Sequence, residues 1–181
     1  GATHNESHLL AVHNRLTCQV KYQNSLKWVI LRHKTGTARE RKLGTMADRL
    51  AGKVAIISGG ATGMGGAASK LFAAEGAKLG IIDRNPVAAA ETVKAIRDAG
   101  GEAMFAVADV SIGSDVLKAV AAVNDAFGAV TVLFNHAGTI VIKPFLDTTE
   151  EEWDWLHNVN VKSMFHMTKA VLPQMIAAGG G

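Results

Sequence analysis

From residue 53 onward the chain switches repeatedly between two patterns of apolar and polar positions. Four short, continuous apolar runs occur: "KVAIIS" (53–58), "AKLGIID" (77–83), "EAMFAVAD" (102–109) and "VTVLFNHAG" (130–138). A run of that length without alternation suits a strand covered on both faces. Between the runs lie "GMGGAASKLFAAEG" (63–76), "PVAAAETVKAIRDAGG" (86–101) and "SIGSDVLKAVAAVNDAFG" (111–128). In the second, Val87, Ala90, Val93, Ala95 and Ile96 follow helical spacing; in the third, Val116, Val120, Val123 and Phe127 form one stripe. Gly76 supplies a C-cap, Pro86 a helix start and Gly100-Gly101 a helix end. The last pattern, 148–175, predicts one long helix. Thr148 or Thr149 precedes three glutamates there, which suits a positive helix N-terminus. Pro173 falls near its end, where a kink or a stop costs little.

Strand, helix, strand, helix predicts an α/β fold: a doubly wound parallel sheet of the Rossmann kind, with right-handed crossovers. Ligands in that architecture bind beyond the carboxyl ends of the strands. The pattern stops after the fourth strand and its long helix. The fourth strand, with Val130, Val132, Leu133 and Phe134, is then expected at an exposed edge, where it favours aggregation. Met164, Phe165, Met167, Val171 and Leu172 are expected to pack as core, with a sister subunit as the other occupant of that face.

Charge divides the chain. Residues 1–45 hold eight Lys/Arg against two Asp/Glu, whereas 46–181 hold eleven against fourteen. The basic excess therefore sits upstream, and the remainder carries no basic stripe of the kind that follows nucleic acid. The first 45 residues also hold four of the seven histidines and lack sustained periodicity. They read as a poorly structured extension, with Met46 as the biological start and the upstream part as leader or vector sequence. A transit peptide and a functional basic arm are the alternatives. Residues 46–181 form the expected domain. No apolar run reaches membrane-spanning length, and the single Cys18 suits a reducing, cytoplasmic location.

The candidate chemistry lies where the strands end. "SGGATGMG" places Ser58, Gly59, Thr62, Gly63, Met64 and Gly65 between a strand and a helix. Glycines there allow a close backbone approach and positive φ, and the helix N-terminus favours a diphosphate. A tight turn between two buried elements is the competing reading. No Gly-Lys-Ser/Thr follows, which excludes a P-loop. Asp83 ends the second strand, twenty residues after Gly63, where an acid accepts from an adenosine ribose. Its carboxylate repels a 2′-phosphate and argues for NAD over NADP, while the neighbouring base Arg84 argues the other way. An Asx-turn or cap before Pro86 is the alternative for Asp83. After the third strand, Asp109 can accept from an adenine amino group with Val110 beside the ring, or it can cap the next helix. After the fourth, Asn135 can tie neighbouring strands, and Ala137 and Gly138 leave room for a nicotinamide ribose. No metal site is read.

Taken together these residues resemble the short-chain dehydrogenase/reductase family over about 49–178. Ser58–Gly65 resembles its TGxxxGxG loop with Ser for Thr, "NHAG" its NNAG motif with His136 for Asn, and "NVNVKSMF" (158–165) its helix with a catalytic Asn, here Asn160. His136 reads as a tolerated loop residue rather than a base. The resemblance implies an NAD(P)-dependent oxidoreductase interconverting a small-molecule alcohol and carbonyl, and a homo-oligomeric parent enzyme. It also implies a Ser and a Tyr-x-x-x-Lys pair after the long helix, and an Asn that holds a relay water. The only tyrosine is Tyr22, with Leu26 four residues on, so the sequence reads as the cofactor half of an enzyme and is expected to be inactive alone. A non-catalytic dinucleotide-binding module is the alternative. A methyltransferase with a similar glycine loop is disfavoured by "NHAG" and Asn160.

Overall fold

The computed structural model describes residues 48–181. The 1–45 extension and the start at Met46 lie outside those residues. The described elements are β1 (Val54–Ser58), α1 (Gly63–Ala74), β2 (Lys78–Asp83), α2 (Pro86–Asp98), β3 (Ala103–Val107), α3 (Gly113–Phe127) and β4 (Val132–Asn135). After them come α4 (Glu150–His157), a π-helical turn (Asn158–Lys162) and α5 (Ser163–Ala177).

All pairings are parallel, in the order β3-β2-β1-β4. The chain walks outward from β1 to β3 and then returns to the other side of β1. With right-handed crossovers, that reversal sends later helices to the opposite face. The core follows. Ala55, Ile57, Leu79 and Ile81 pack against Ala73 of α1 and Ala89, Val93 and Ile96 of α2. Ile56 and Ile82 pack against Val116, Val120 and Val123 of α3 and Met167 and Val171 of α5. Successive side chains of one strand thus serve opposite faces. Ile56, Ile57, Leu79, Ile81 and Ile82 are fully covered, and each contributes about 1.5–3 kcal/mol of burial. Gly80 lets α3 approach β2, since a Cβ there would lie 2.5 Å from Val123 Cγ2.

Element ends follow their side-chain chemistry. Asn85 caps α2 by accepting from Val87 N and Ala88 N, both at 3.1 Å, with Pro86 as the first helical residue. Gly76 (φ 91°) and Gly100 (φ 88°) turn the chain out of α1 and α2. Thr149, not Thr148, caps α4, in a reciprocal capping box with Glu152. β4 is shorter than the run 130–138 because its register with β1 ends at Ser58↔Asn135. Among the described residues it is an edge strand.

Three expectations about the last pattern need correction. The helix is not continuous: the π-helical turn at Asn158–Lys162 separates α4 from α5. Nor does Pro173 stop it, because α5 runs on to Ala177. Tertiary contacts hold that last stretch, with Gln174 Oε1 accepting from Val130 N at 2.9 Å. Finally, only Met167 and Val171 are core, while Met164, Phe165 and Leu172 are about half exposed. A helix buries one stripe, and 167 and 171 lie on it four residues apart.

The amino-terminal side of the sheet is tied by an ion pair. Glu75 is buried, and its carboxylate accepts from Arg49 Nε (3.2 Å), Nη2 (3.2 Å) and N (3.3 Å). Those hydrogen bonds from Arg49 outweigh desolvation and hold the Glu75 carboxyl below its ordinary value. A lowered folded value means stabilisation that is complete above the ordinary glutamate range, about 4.3, and lost as pH falls through the folded value. We expect Glu75→Gln to lower the melting temperature at pH 7 and to converge with the wild type near pH 3, as read by circular dichroism. A constant offset across that range would contradict this account.

Candidate functional site

The carboxyl ends of β1, β2, β3 and β4 surround a cleft of about 330 Å³. Gly59, Thr62, Gly63 and Met64 form one wall, Asp83, Arg84, Asp109 and Val110 a second, and Ala137 and Gly138 a third. Ten of the predicted residues therefore meet around one space.

The glycine wall is shaped by close approach. Gly59 has φ +67°, and a Cβ on it would lie 2.8 Å from Ala137 Cα. Gly65 does not line the cleft; its place is beneath the loop, where a Cβ would lie 2.0 Å from Gly59 O. Thr62 is the N-cap of α1 but makes no side-chain cap, and the first turn holds no acid. The first amides of α1 are thus open to an anion, with the positive end of the helix behind them. Ser58 is buried and serves differently from a cleft contact. Its Oγ accepts from His136 N (3.1 Å) and Ala137 N (3.2 Å), which locks the end of β1 to the end of β4.

On the second wall Asp83 makes the Asx-turn and also lines the cleft. Its Oδ1 accepts from Asn85 N (3.0 Å), the Asx-turn, and its Oδ2 accepts from Ala61 N (3.1 Å), which holds the glycine loop. A carboxylate offers about four acceptor positions, so capacity remains for hydroxyl donors. Asp109 does not cap α3, whose N-cap is Ile112. Instead its Oδ1 accepts from Ser111 N (2.9 Å) and Ser111 Oγ (2.6 Å), while Oδ2 lies 3.9 Å from Arg84 Nη1. Partial burial pushes the Asp109 carboxyl up, but Ser111 and the Arg84 guanidinium together outweigh it and leave it below its ordinary value.

On the third wall Asn135 departs from expectation. Among the described residues its Nδ2 donates to Thr168 Oγ1 of α5 (3.4 Å) rather than to a strand, and its buried Oδ1 has no partner. Ala137 and Gly138 line the cleft. Asn160, on the π-helical turn, does not line the cleft. Its Oδ1 accepts from Thr139 N (2.7 Å) and its Nδ2 donates to Thr139 O (2.9 Å), a two-point grip on the backbone just past Gly138. Further along, Lys143 pairs with Glu152 of α4. Hydrogen bonding from Lys143, then from the Thr149 amide, holds the Glu152 carboxyl below its ordinary value.

Four further residues line the cleft: Ile82, Ala108, His136 and Val159. Ile82 and Ala108 could have been found as the residues immediately before Asp83 and Asp109. Val159 precedes Asn160, and the π-helical turn that holds both brings it to the cleft. His136 was in plain view within "NHAG".

Comparisons with known proteins agree with this fold. The family model described as short chain dehydrogenase matches residues 53–181. The chain is 44% identical over 136 residues to 2,5-dichloro-2,5-cyclohexadiene-1,4-diol dehydrogenase of Sphingobium indicum, covering 75% of this chain and 54% of that protein. It is 37% identical over 133 residues to cyclopentanol dehydrogenase of Comamonas testosteroni, covering 74% and 53%. The solved hydroxysteroid dehydrogenase from Escherichia coli superposes with a TM-score of 0.71 at 34% identity, covering 74% of this chain and 57% of that one. The chain thus spans about half the length of the curated relatives it matches. The parallel sheet, the glycine loop interlocked with the turn after β4, and a family match over most of the chain lead to one assignment: this chain belongs to the short-chain dehydrogenase family.

Proposed function

We propose that this chain is the cofactor-binding part of an NAD-preferring oxidoreductase that interconverts an alcohol and a carbonyl. The observation that carries the reading is the convergence of the glycine loop, Asp83, Asp109 and Gly138 on one cleft. The cleft fits a dinucleotide. The open amides at the start of α1 suit the diphosphate, and a Cβ direction at Gly63 with nothing within 4 Å leaves room there. Asp83 receives the adenosine ribose, Asp109 and Val110 the adenine, and Ala137 and Gly138 the nicotinamide ribose. When bound, the nicotinamide supplies hydride transfer.

This chain's residues bind and orient; proton transfer falls to others. Hydride exchange with an alcohol needs a proton handled at the substrate oxygen. Tyr22 lacks a lysine four positions on, and no other tyrosine exists in the sequence. We therefore assign the acid/base to residues beyond the given sequence and expect no turnover from the chain alone. Asn160 acts here as a positioning residue, through Thr139. The relatives' names specify ring alcohols, which supports a cyclic alcohol or ketone as substrate. Among the described residues no helix is long and apolar enough to cross a membrane. A cytoplasmic, homo-oligomeric parent enzyme completes the proposal.

Fluorescence titration of the chain with NADH and NADPH tests it. Saturable NADH binding, with NADPH weaker and S-adenosylmethionine unable to compete, is the expected result. No saturable binding of either dinucleotide would overturn it. A non-catalytic binding module shares this cleft; reading the source DNA after Gly181 separates the two, since the enzyme requires a Ser and then Tyr-x-x-x-Lys.

A further inference from the structure

We propose that His136 contacts the diphosphate end of the bound dinucleotide and that binding draws a proton onto its imidazole. This rests on the cofactor reading above and goes beyond it, because it gives that site a dependence on pH.

The ring is placed by its neighbours. Phe72 of α1, Phe134 of β4 and His136 form a column, with centroids 6.1 Å apart between the first two and 5.4 Å between the second two. The column ends against the first turn of α1, where a Cβ on Gly65 would lie 2.6 Å from His136 Cδ2. His136 therefore lines the cleft beside the amides that receive the diphosphate. Its backbone is fixed by Ser58 Oγ, which limits the ring's freedom to move away.

The charges around it make the effect directional. On α1 the only charged side chain is Lys70, and β4 carries none. Lys162 is the only charged side chain of the π-helical turn. Across the cleft, Asp83 is engaged by Ala61 N and Asn85 N, while Asp109 is engaged by Ser111 and Arg84. Among the described residues no carboxylate is hydrogen-bonded to the His136 ring. The first turn of α1, with the positive end of the helix, lies against the ring. A diphosphate at those amides reverses the local field and favours the imidazolium. One proton passes from buffer to a ring nitrogen; the ligand, already fully ionised there, releases none.

Calorimetric titration with NADH in two buffers of different ionisation enthalpy, near pH 6.5, counts the protons. The wild-type chain is expected to take up a measurable fraction of a proton per NADH at that pH. His136→Asn is expected to bind NADH with uptake near zero, and its affinity deficit is expected to shrink as pH rises from 6 to 8. His136→Gln is the second variant, with both checked for folding by circular dichroism first. Zero uptake by a wild-type chain that binds NADH overturns the inference whatever the variants do. Equal uptake in wild type and variant overturns it too. A wild-type chain that binds no NADH removes the cofactor reading itself, a different failure.

Discussion

Adding one methyl group at position 65 should weaken NADH binding by about 10- to 100-fold, the equivalent of the roughly 1–3 kcal/mol that overpacking a close contact costs. A Cβ on Gly65 would lie 2.0 Å from Gly59 O, a contact no rotamer can relieve because both partners are backbone. Gly59 cannot retreat. Its N donates to Ile82 O at 2.8 Å, and its own Cβ direction is closed by Ala137 Cα at 2.8 Å. The turn at 136–137 is pinned in its place by Ser58 Oγ. What must move is therefore the first turn of α1, together with the amides that meet the diphosphate. Gly63→Ala is the control. Its Cβ would meet no protein atom within 4 Å, so what opposes it is the left-handed φ of +55°, a cost of about 1–2 kcal/mol, and the little room it takes from the ligand. That converts to a weakening of about tenfold. NADH fluorescence on both variants, with circular dichroism to separate unfolding from lost binding, decides the point. Gly65→Ala binding within threefold of wild type would show that the loop and helix are not interlocked as described.

The contrast between these two glycines also shows what one sequence can reveal. The apolar runs at β1 and β2 were legible because strands covered on both faces leave no other pattern, and Ile56, Ile57, Ile81 and Ile82 are indeed fully covered. The positions at strand ends were legible because topology places them, and that is why Asp83 and Asp109 face one cleft. Side-chain commitments were not. Ser58 was read as a cleft residue, yet its hydroxyl is occupied by two amides seventy-eight and seventy-nine positions away. Asp109 reads as an adenine acceptor or a helix cap, and of these the cap is absent, because it bonds Ser111 two residues on. Local propensity cannot distinguish these outcomes, because Ser and Asp accept equally well from near and distant amides.

The π-helical turn at Asn158–Lys162 is the clearest case of hidden information. Its residues continue a helical pattern, and nothing in their composition marks a wider turn. Its consequence is tertiary: Val159 reaches the cleft while Asn160 closes on both backbone groups of Thr139. Such turns gather at functional sites because they re-aim side chains at little cost to the helix. Here the turn ties the end of the third wall to α4 and α5.

Asp83→Ala should weaken NADH binding by about 10- to 100-fold and narrow the NADH-to-NADPH preference by at least about tenfold, that is, by about 1.4 kcal/mol or more. Two effects act together. Removing the carboxylate removes a hydrogen-bond acceptor for the ribose hydroxyls and a repulsion against a 2′-phosphate. It also strands Ala61 N, because the Ala61 amide donates to Asp83 Oδ2 and the residue is buried. An unpaired buried amide costs about 1–3 kcal/mol, so the glycine loop itself loosens. Asp83→Asn separates the two effects when its amide oxygen takes the place of Oδ2: it keeps the acceptor for Ala61 N, gives up the one for Asn85 N and removes the charge. If repulsion governs cofactor choice, Asn should relax the preference nearly as far as Ala. If loop support governs affinity, Ala should weaken both dinucleotides together, and Asn less so. Arg84 provides the opposing case. Its side chain is 60% exposed and only 3.9 Å from Asp109 Oδ2, so it is free to turn toward a phosphate. A wild-type chain that already prefers NADPH would mean that this guanidinium outweighs Asp83, and the assignment of NAD would fall with it.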